Sequence, residues 1–151
     1  MICSGAGAFE SLRLEKGYRS LGSDIHTNTN PYESGLGFTV KLKKNDDFIG
    51  KEALAQIKQQ PIEKKLACMV LDDPEGMALG TEPIYCDGKA VGYVTSTNYG
   101  YFVDKHIVYG YLPKDLSNEG TKLELEYFGK RYPLIVTQEP LLDPENSRLK
   151  S

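Results

Sequence analysis

The chain has 151 residues, 40% of them apolar and 26% charged, with a net charge of −3 and an isoelectric point of about 5.4, a balance that fits a globular protein with one good core or two small ones. The acidity argues against the basic footprint with which nucleic-acid binders neutralise phosphates, and the sequence holds no run of about 18 or more apolar residues to span a membrane. Three cysteines, Cys3, Cys68 and Cys86, form an odd set without metal-type spacing, so they predict neither a disulfide framework nor a zinc site and read as reduced, mostly buried thiols.

Met1 to Gly5 is too short and too weakly apolar for a signal peptide and lacks a basic start, so a cytoplasmic location is expected. Ala6 to Lys16 then reads as a helix with Phe9, Leu12 and Lys16 in helical register, stopped by Gly17, which readily takes the left-handed conformation. Glu15 stands in its last turn, where negative charge opposes the helix dipole at a cost of a few tenths to ~1 kcal/mol. Two readings of it stay open on the residues alone. It is a surface glutamate screened by Arg13, Lys16 or Arg19, or it is a buried carboxylate that accepts two parallel hydrogen bonds from a planar donor edge.

Tyr18 to Asn30 is polar and aperiodic, a loop. Asn30 suits a helix cap and Pro31 the first helical position, giving a short turn over Pro31-Tyr32-Glu33-Ser34 that Gly35 stops. Tyr32 is either a packing aromatic of that turn or a pocket wall with an apolar face and a polar tip. Phe38, Val40 and Leu42 alternate with Thr39, Lys41 and Lys43, which predicts a half-buried strand. Asn45-Asp46-Asp47 turns the chain, and Gly50 to Gln59 is helical with Ala53, Leu54 and Ile57 on one face until Pro61. Lys41, Lys43, Lys44 and Lys51 form a local basic cluster that a short polyanionic tail could meet.

A boundary is expected between residues 59 and 63, separating a portion 1–60 from a portion 61–151. Beyond it the hydrophobic period becomes two, and eight of the ten tyrosines lie there. Strands are predicted over Leu66 to Leu71, Glu82 to Cys86, Lys89 to Thr95, His106 to Tyr111, Leu123 to Tyr127 and Tyr132 to Thr137. Asp87-Gly88 is a two-residue hairpin signal, and Gly129-Lys130 reads as a type II′ turn. Six short strands with turns between them favour a small closed antiparallel barrel or sandwich. Pro140 to Pro144 is expected to wrap back over the last strand. The fold class is α+β: a short α/β N-terminal portion followed by a six-stranded antiparallel β-barrel.

Three runs carry a resemblance: S-L-R-L-E-K-G-Y-R-x-x-G-x-D from Ser11 to Asp24, N-P-Y-E-S-G-L-G-F from Asn30 to Phe38, and F-I-G-K-E-A-L from Phe48 to Leu54. Together they resemble the aminomethyltransferase (glycine-cleavage T-protein) family, and most of all the folate-binding C-terminal region of dimethylglycine and sarcosine oxidases and dehydrogenases. The resemblance runs from about Ala8 to Leu149. It implies that the chain ends in a six-stranded barrel, that tetrahydrofolate is the cofactor, and that Glu15 holds its pterin. It also implies that the segment of Tyr32 borders the folate, and that Lys44 stands where T-proteins have an arginine meeting the p-aminobenzoyl-glutamate end. Lysine supplies that charge without the bidentate fork.

Tyr93, Thr95, Ser96, Tyr99 and Tyr101 resemble the family's V-G-x-V-T-S barrel strand and read as aromatic filling of a small barrel. His26 and His106 carry no catalytic-triad or metal spacing and read as structural. The glycines of G-L-G-F and S-G-A-G neither follow a strand nor open a helix, so no FAD or NAD site is expected in this chain. The relatives that demethylate amines place a flavin domain upstream, and a preceding segment supplies an acidic residue near the reactive nitrogens of the folate. A missing N-terminal half or a partner subunit is therefore expected, and the isolated chain should not oxidise dimethylglycine or sarcosine. The C-terminal part of a folate-dependent one-carbon enzyme is the reading that results. Its alternatives are the C-terminal part of a glycine-cleavage aminomethyltransferase, a non-catalytic folate-binding or docking module, and a single-strand nucleic-acid barrel, which the acidity disfavours. The cysteine-bearing K-G-C-Y motif of the related tRNA-modifying proteins is absent from the sequence.

Overall fold

The structure is a computed structural model and describes residues 3–150; Met1 and Ile2 of the opening stretch, and Ser151, lie outside the described residues. Helix α1 spans Ala6–Glu15 and α2 Lys51–Gln59. Strands follow at β1 Lys64–Leu71, β2 Pro83–Cys86, β3 Lys89–Gly100, β4 Lys105–Pro113, β5 Lys122–Tyr127 and β6 Lys130–Val136, with a final turn of helix, α3, at Ser147–Lys150. The six strands close into an antiparallel barrel in the order β1-β4-β3-β2-β5-β6.

Alternation along the strands divides the apolar residues between two cores. Met69, Ile84, Val94, Val108, Leu125 and Leu134 fill the barrel. The residues between them on β1 and β4, namely Leu66, Cys68, Ile107, Tyr109 and Tyr111, pack outward with Leu14 of α1 in a second cluster. β1 is buried on both faces for that reason, and its sequence reads as a continuous apolar run.

Helix α1 ends as Gly17 predicted. Its φ is +75°, the Gly17 N–H bonds the Leu14 carbonyl at 3.2 Å, and the Tyr18 N–H bonds the Arg13 carbonyl at 2.9 Å, a Schellman closure. The buried face of α1 is not the apolar one. Phe9 and Leu12 are exposed, while Ser11, Arg13, Leu14 and Glu15 face inward; Ser11, Arg13 and Glu15 Oε1 each find a partner there.

Four other expectations are corrected. Phe38 to Leu42 is no strand: a short 3₁₀ turn covers Gly37–Thr39 and Phe38 is exposed, since alternation alone supplies no neighbouring strand for its backbone groups. The β5–β6 hairpin turns one residue earlier than predicted, at Phe128-Gly129 between the paired ends Tyr127 and Lys130. Both turn residues have positive φ, +48° and +75°, which is a type I′ pattern like that of Asp87 (+49°) and Gly88 (+74°). Tyr93, Tyr99 and Tyr101 do not fill the barrel; they are among its exposed apolar residues, and aliphatic side chains take the interior. The segment after β6 runs to the end of α1 and not over the last strand: the Leu142 N–H bonds the Glu15 carbonyl at 2.9 Å, Lys16 pairs with Asp143 at 3.2 Å, and Arg19 pairs with Glu139. Of the thiols, Cys68 is buried, Cys86 half-buried and Cys3 exposed.

Candidate functional site

The corner formed by α1, the loop after it and strand β3 is organised by a buried ion pair. Arg13 and Asp24 meet at 2.8 Å with 6% and 0% of their side chains exposed. The same Asp24 oxygen accepts from the Ser20 N–H at 2.9 Å, and its other oxygen accepts from the Thr95 hydroxyl at 2.6 Å. Arg13 also donates to the Ser96 hydroxyl at 2.8 Å and to the Tyr18 carbonyl at 3.1 Å. Adjacent strand residues normally point to opposite faces, but the register slips between Val94 and Ser96 opposite Gly110 and Tyr109. That bulge turns Thr95 and Ser96 toward the same ion pair.

Glu15 lies beside this network, 1% exposed. Its Oε1 accepts from two successive backbone groups of the β3–β4 turn, the Phe102 N–H at 2.7 Å and the Val103 N–H at 3.2 Å. Its Oε2 has no partner and is the one buried side-chain polar atom so placed among the described residues. The contrast with Glu82 is instructive: there one oxygen takes the Leu79 N–H and the other the Gly80 N–H, each at 2.8 Å. An unsatisfied buried carboxylate oxygen costs more than a net hydrogen bond contributes, so it marks a position where a donor is wanted. Glu15 lines a cavity of about 680 Å³ together with Ser11, Leu12, Asn98, Tyr101 and Phe102. Leu12, Tyr101 and Phe102 give it an exposed apolar rim.

Tyr32 and Lys44 are placed elsewhere. Asn30 Oδ1 accepts from the Tyr32 and Glu33 N–H groups at 2.9 and 3.1 Å while Glu33 accepts from the Asn30 N–H at 3.0 Å, a reciprocal capping box. The Tyr32 hydroxyl donates to the Leu54 carbonyl of α2 at 3.1 Å. Tyr32 lines a separate cavity of about 340 Å³ with Ile57 and Pro61, so the expected pocket shared by Glu15 and Tyr32 is not formed within this chain. Lys44 is 63% exposed and pairs with Asp46 at 2.9 Å, and the Lys51 ammonium donates to the Lys44 carbonyl at 2.9 Å.

Burial and neighbours move several other groups. Burial pushes the Cys68 thiol up to about 12 and raises the neighbouring Tyr109 phenol, which keeps both protonated and unreactive. Burial lowers His106, whose Nε2 lies 3.0 Å from the Thr97 hydroxyl. His26 Nε2 lies 3.4 Å from the Tyr93 hydroxyl. Hydrogen bonding by Ser147 holds the Asp143 carboxyl at about 2. Among the described residues no group of three or more His, Cys, Asp or Glu is placed to hold a metal ion.

The sequence pointed to Glu15 but not to what surrounds it. Asp24 stands at the end of the first motif and Thr95-Ser96 within the barrel strand, so their meeting with Arg13 had a signal in the motifs without a partner to attach it to. The Phe102 and Val103 donors had none, because a backbone N–H belongs to every residue type but proline.

Comparison with known proteins places this geometry. The model of the glycine cleavage T-protein C-terminal barrel domain matches residues 64–143, just over half of the chain, and that of the T-protein N-terminal domain matches residues 1–44. Human mitochondrial dimethylglycine dehydrogenase is 42% identical over 97% of this chain and 17% of its own length. Human mitochondrial sarcosine dehydrogenase is 35% identical over 99% of this chain and 17% of its own length. The crystal structure of the glycine cleavage system aminomethyltransferase T from Bartonella henselae superposes with a TM-score of 0.83 at 28% identity, covering 90% of this chain and 38% of that one. The chain thus spans about a sixth of the length of the dehydrogenases it matches, and it belongs to the glycine cleavage T-protein family, with the family's C-terminal barrel as its larger part.

Proposed function

We propose that this chain is the C-terminal part of a tetrahydrofolate-dependent one-carbon transfer enzyme of the dimethylglycine or sarcosine dehydrogenase and oxidase type, supplying one wall of the folate pocket together with the barrel. The observation that carries the reading is Glu15, which lines an apolar-rimmed cavity and whose buried Oε2 has no hydrogen-bond partner. The amino-pyrimidinone edge of a pterin presents N–H donors on a flat ring, and a carboxylate beside exposed Phe102 and Leu12 fits both features. When bound, tetrahydrofolate supplies the nitrogens that take up the one-carbon unit. Glu15 orients the pterin, the Arg13–Asp24 pair holds the helix end that carries Glu15, and the aromatic rim excludes water from the carboxylate. In this reading Lys44 offers a point charge to the anionic end of the folate, and Tyr32 lines an outlying wall.

The rim also supports the expectation of a preceding portion. Leu12, Tyr101 and Phe102 are exposed around the Glu15 cavity, apolar surface that a further domain of a parent enzyme would cover. The flavin chemistry of such an enzyme is assigned to that preceding portion, and this chain binds no FAD. The structural likeness to an aminomethyltransferase favours, as a second reading, the C-terminal part of a glycine-cleavage enzyme. Calorimetric titration of 5-formyltetrahydrofolate into the complete parent chain, with absorption spectra of the purified 151-residue chain beside it, tests the proposal. One saturable site in the parent and no flavin spectrum in the 151-residue chain are predicted. Absence of binding to the parent refutes the folate role.

A further inference from the structure

Strands β3 and β4 are joined by the four residues Tyr101, Phe102, Val103 and Asp104, between the paired ends Gly100 and Lys105. Within this turn the Phe102 and Val103 N–H groups converge on Glu15 Oε1. Two backbone donors hold a carboxylate oxygen only while the turn keeps its shape, and the structure shows what keeps it. The Tyr99 hydroxyl donates to Asp104 Oδ1 across the mouth of the turn. The Tyr99 and Tyr101 rings meet edge to face at 5.2 Å. The Ser11 hydroxyl, one helical turn before Glu15, donates to the Tyr99 carbonyl at 2.7 Å and fixes the same strand end to α1. A Cβ on Gly100 would lie 3.0 Å from Glu15 Cγ and 2.8 Å from both Val103 Cγ2 and Ile107 Cδ1, so the glutamate stem seats against bare backbone there.

We propose that Tyr99 and Asp104 are positioning residues for Glu15: their hydrogen bond latches the β3–β4 turn so that Phe102 and Val103 occupy Oε1 and leave Oε2 as the acceptor offered to a ligand. Oε1 takes two backbone donors and has no further lone pair in the carboxylate plane to give. A ligand is therefore selected for an N–H donor directed at Oε2, as amides, amidines and aminopyrimidinones can supply, and a ligand presenting an acceptor there is rejected. Neither Tyr99 nor Asp104 lines the Glu15 cavity; both border a different one of about 710 Å³, so they act through the turn and not by touching the ligand. Only the identity of the ligand rests on the folate reading; the latch does not.

The test has two arms. In the ¹⁵N-labelled 151-residue chain, Tyr99→Phe and Asp104→Asn are expected to speed amide exchange at Phe102 and Val103 by about tenfold or less, the loss of one net hydrogen bond, while the β5–β6 amides keep wild-type rates. In the complete parent chain, Tyr99→Phe is expected to weaken 5-formyltetrahydrofolate binding by about two- to tenfold and to cause no further loss in a Glu15→Ala background. Unchanged exchange at Phe102 and Val103 overturns the latch. Equal losses in the two backgrounds overturn the route through Glu15, as does a Tyr99→Phe variant that binds like wild type while Glu15→Ala binds weakly. If Glu15→Ala itself binds like wild type, the folate reading fails, and the amide arm still decides the latch.

Discussion

Arg13 and Asp24 stand eleven positions apart in sequence and meet at 2.8 Å in a buried contact, where Thr95 and Ser96 of the bulged strand β3 close the network around them. The pair joins the helix that carries Glu15 to the barrel that carries its hydrogen-bond donors. Burying two charges is costly, and the cost is offset only because the remaining lone pairs and N–H groups are satisfied.

Removing Arg13 leaves Asp24 charged and buried without a counter-ion, whereas removing Asp24 leaves Arg13 with Glu10, 2.6 Å from its Nε and 39% exposed, as its remaining ionic partner. Arg13→Met is expected to lower unfolding stability by about 3–5 kcal/mol, Asp24→Asn by less because Glu10 still faces Arg13, and the double variant by much less than their sum. Urea unfolding midpoints with an unchanged slope measure this. A loss within about 0.5 kcal/mol for either single variant, the range of an ordinary surface substitution, contradicts the organising role.

The β5–β6 hairpin carries a bulky residue in the left-handed region, Phe128 at φ +48° and 91% exposed. Its ring meets Tyr127 edge to face at 4.6 Å, which offsets part of the backbone cost. Phe128→Asn, which suits a type I′ turn, is expected to raise stability by up to about 1 kcal/mol, and thermal unfolding checks it. A stability loss would locate the turn's energy in the ring pair and not in the backbone.

His106 gives stability a dependence on pH in a defined window. Burial lowers its folded pKa below the usual 6.5, with a smaller opposing pull from Glu82. The folded chain thus binds this proton more weakly than the unfolded one, so the stability contribution is complete above the unfolded pKa and is lost as pH falls through the folded pKa. Asp143, held at about 2 against 3.8, acts only at lower pH. Urea midpoints at about pH 7.5 and about pH 5.5 are expected to differ in wild type and to converge in His106→Gln. Equal differences in the two proteins contradict it.

Much of the barrel was legible because each strand carries its own alternation and Asp87-Gly88 announces its turn. Register in the β5–β6 hairpin was not, since Phe128 carries no turn signature and the left-handed pair could be read only from the geometry. The N-terminal portion was less legible still. Phe9 and Leu12 advertise a buried face that is exposed in this chain, and Phe38 to Leu42 alternates without a partner. The position of Glu15 at the end of a helix, where its charge is disfavoured, left a surface and a buried reading open and only the resemblance chose between them, whereas the turn that holds it lies 87 positions away at Phe102. Contacts of that separation through backbone groups leave no trace in residue types.

The central claim is that Glu15 offers a buried acceptor to a pterin edge. Truncating one member of a charge-assisted hydrogen bond costs ~1.5–3 kcal/mol, about ten- to hundredfold in affinity. Glu15→Gln keeps an acceptor but sets an N–H₂ group against the donors of the ligand, so it is expected to weaken binding nearly as much as Glu15→Ala. Calorimetric titration of 5-formyltetrahydrofolate into the complete parent chain, in wild type and both variants with the barrel fold verified by circular dichroism, is the most direct measurement. A loss of about ten- to hundredfold in both variants is the predicted result; equal affinity in all three proteins would contradict the assignment of Glu15 as the folate acceptor.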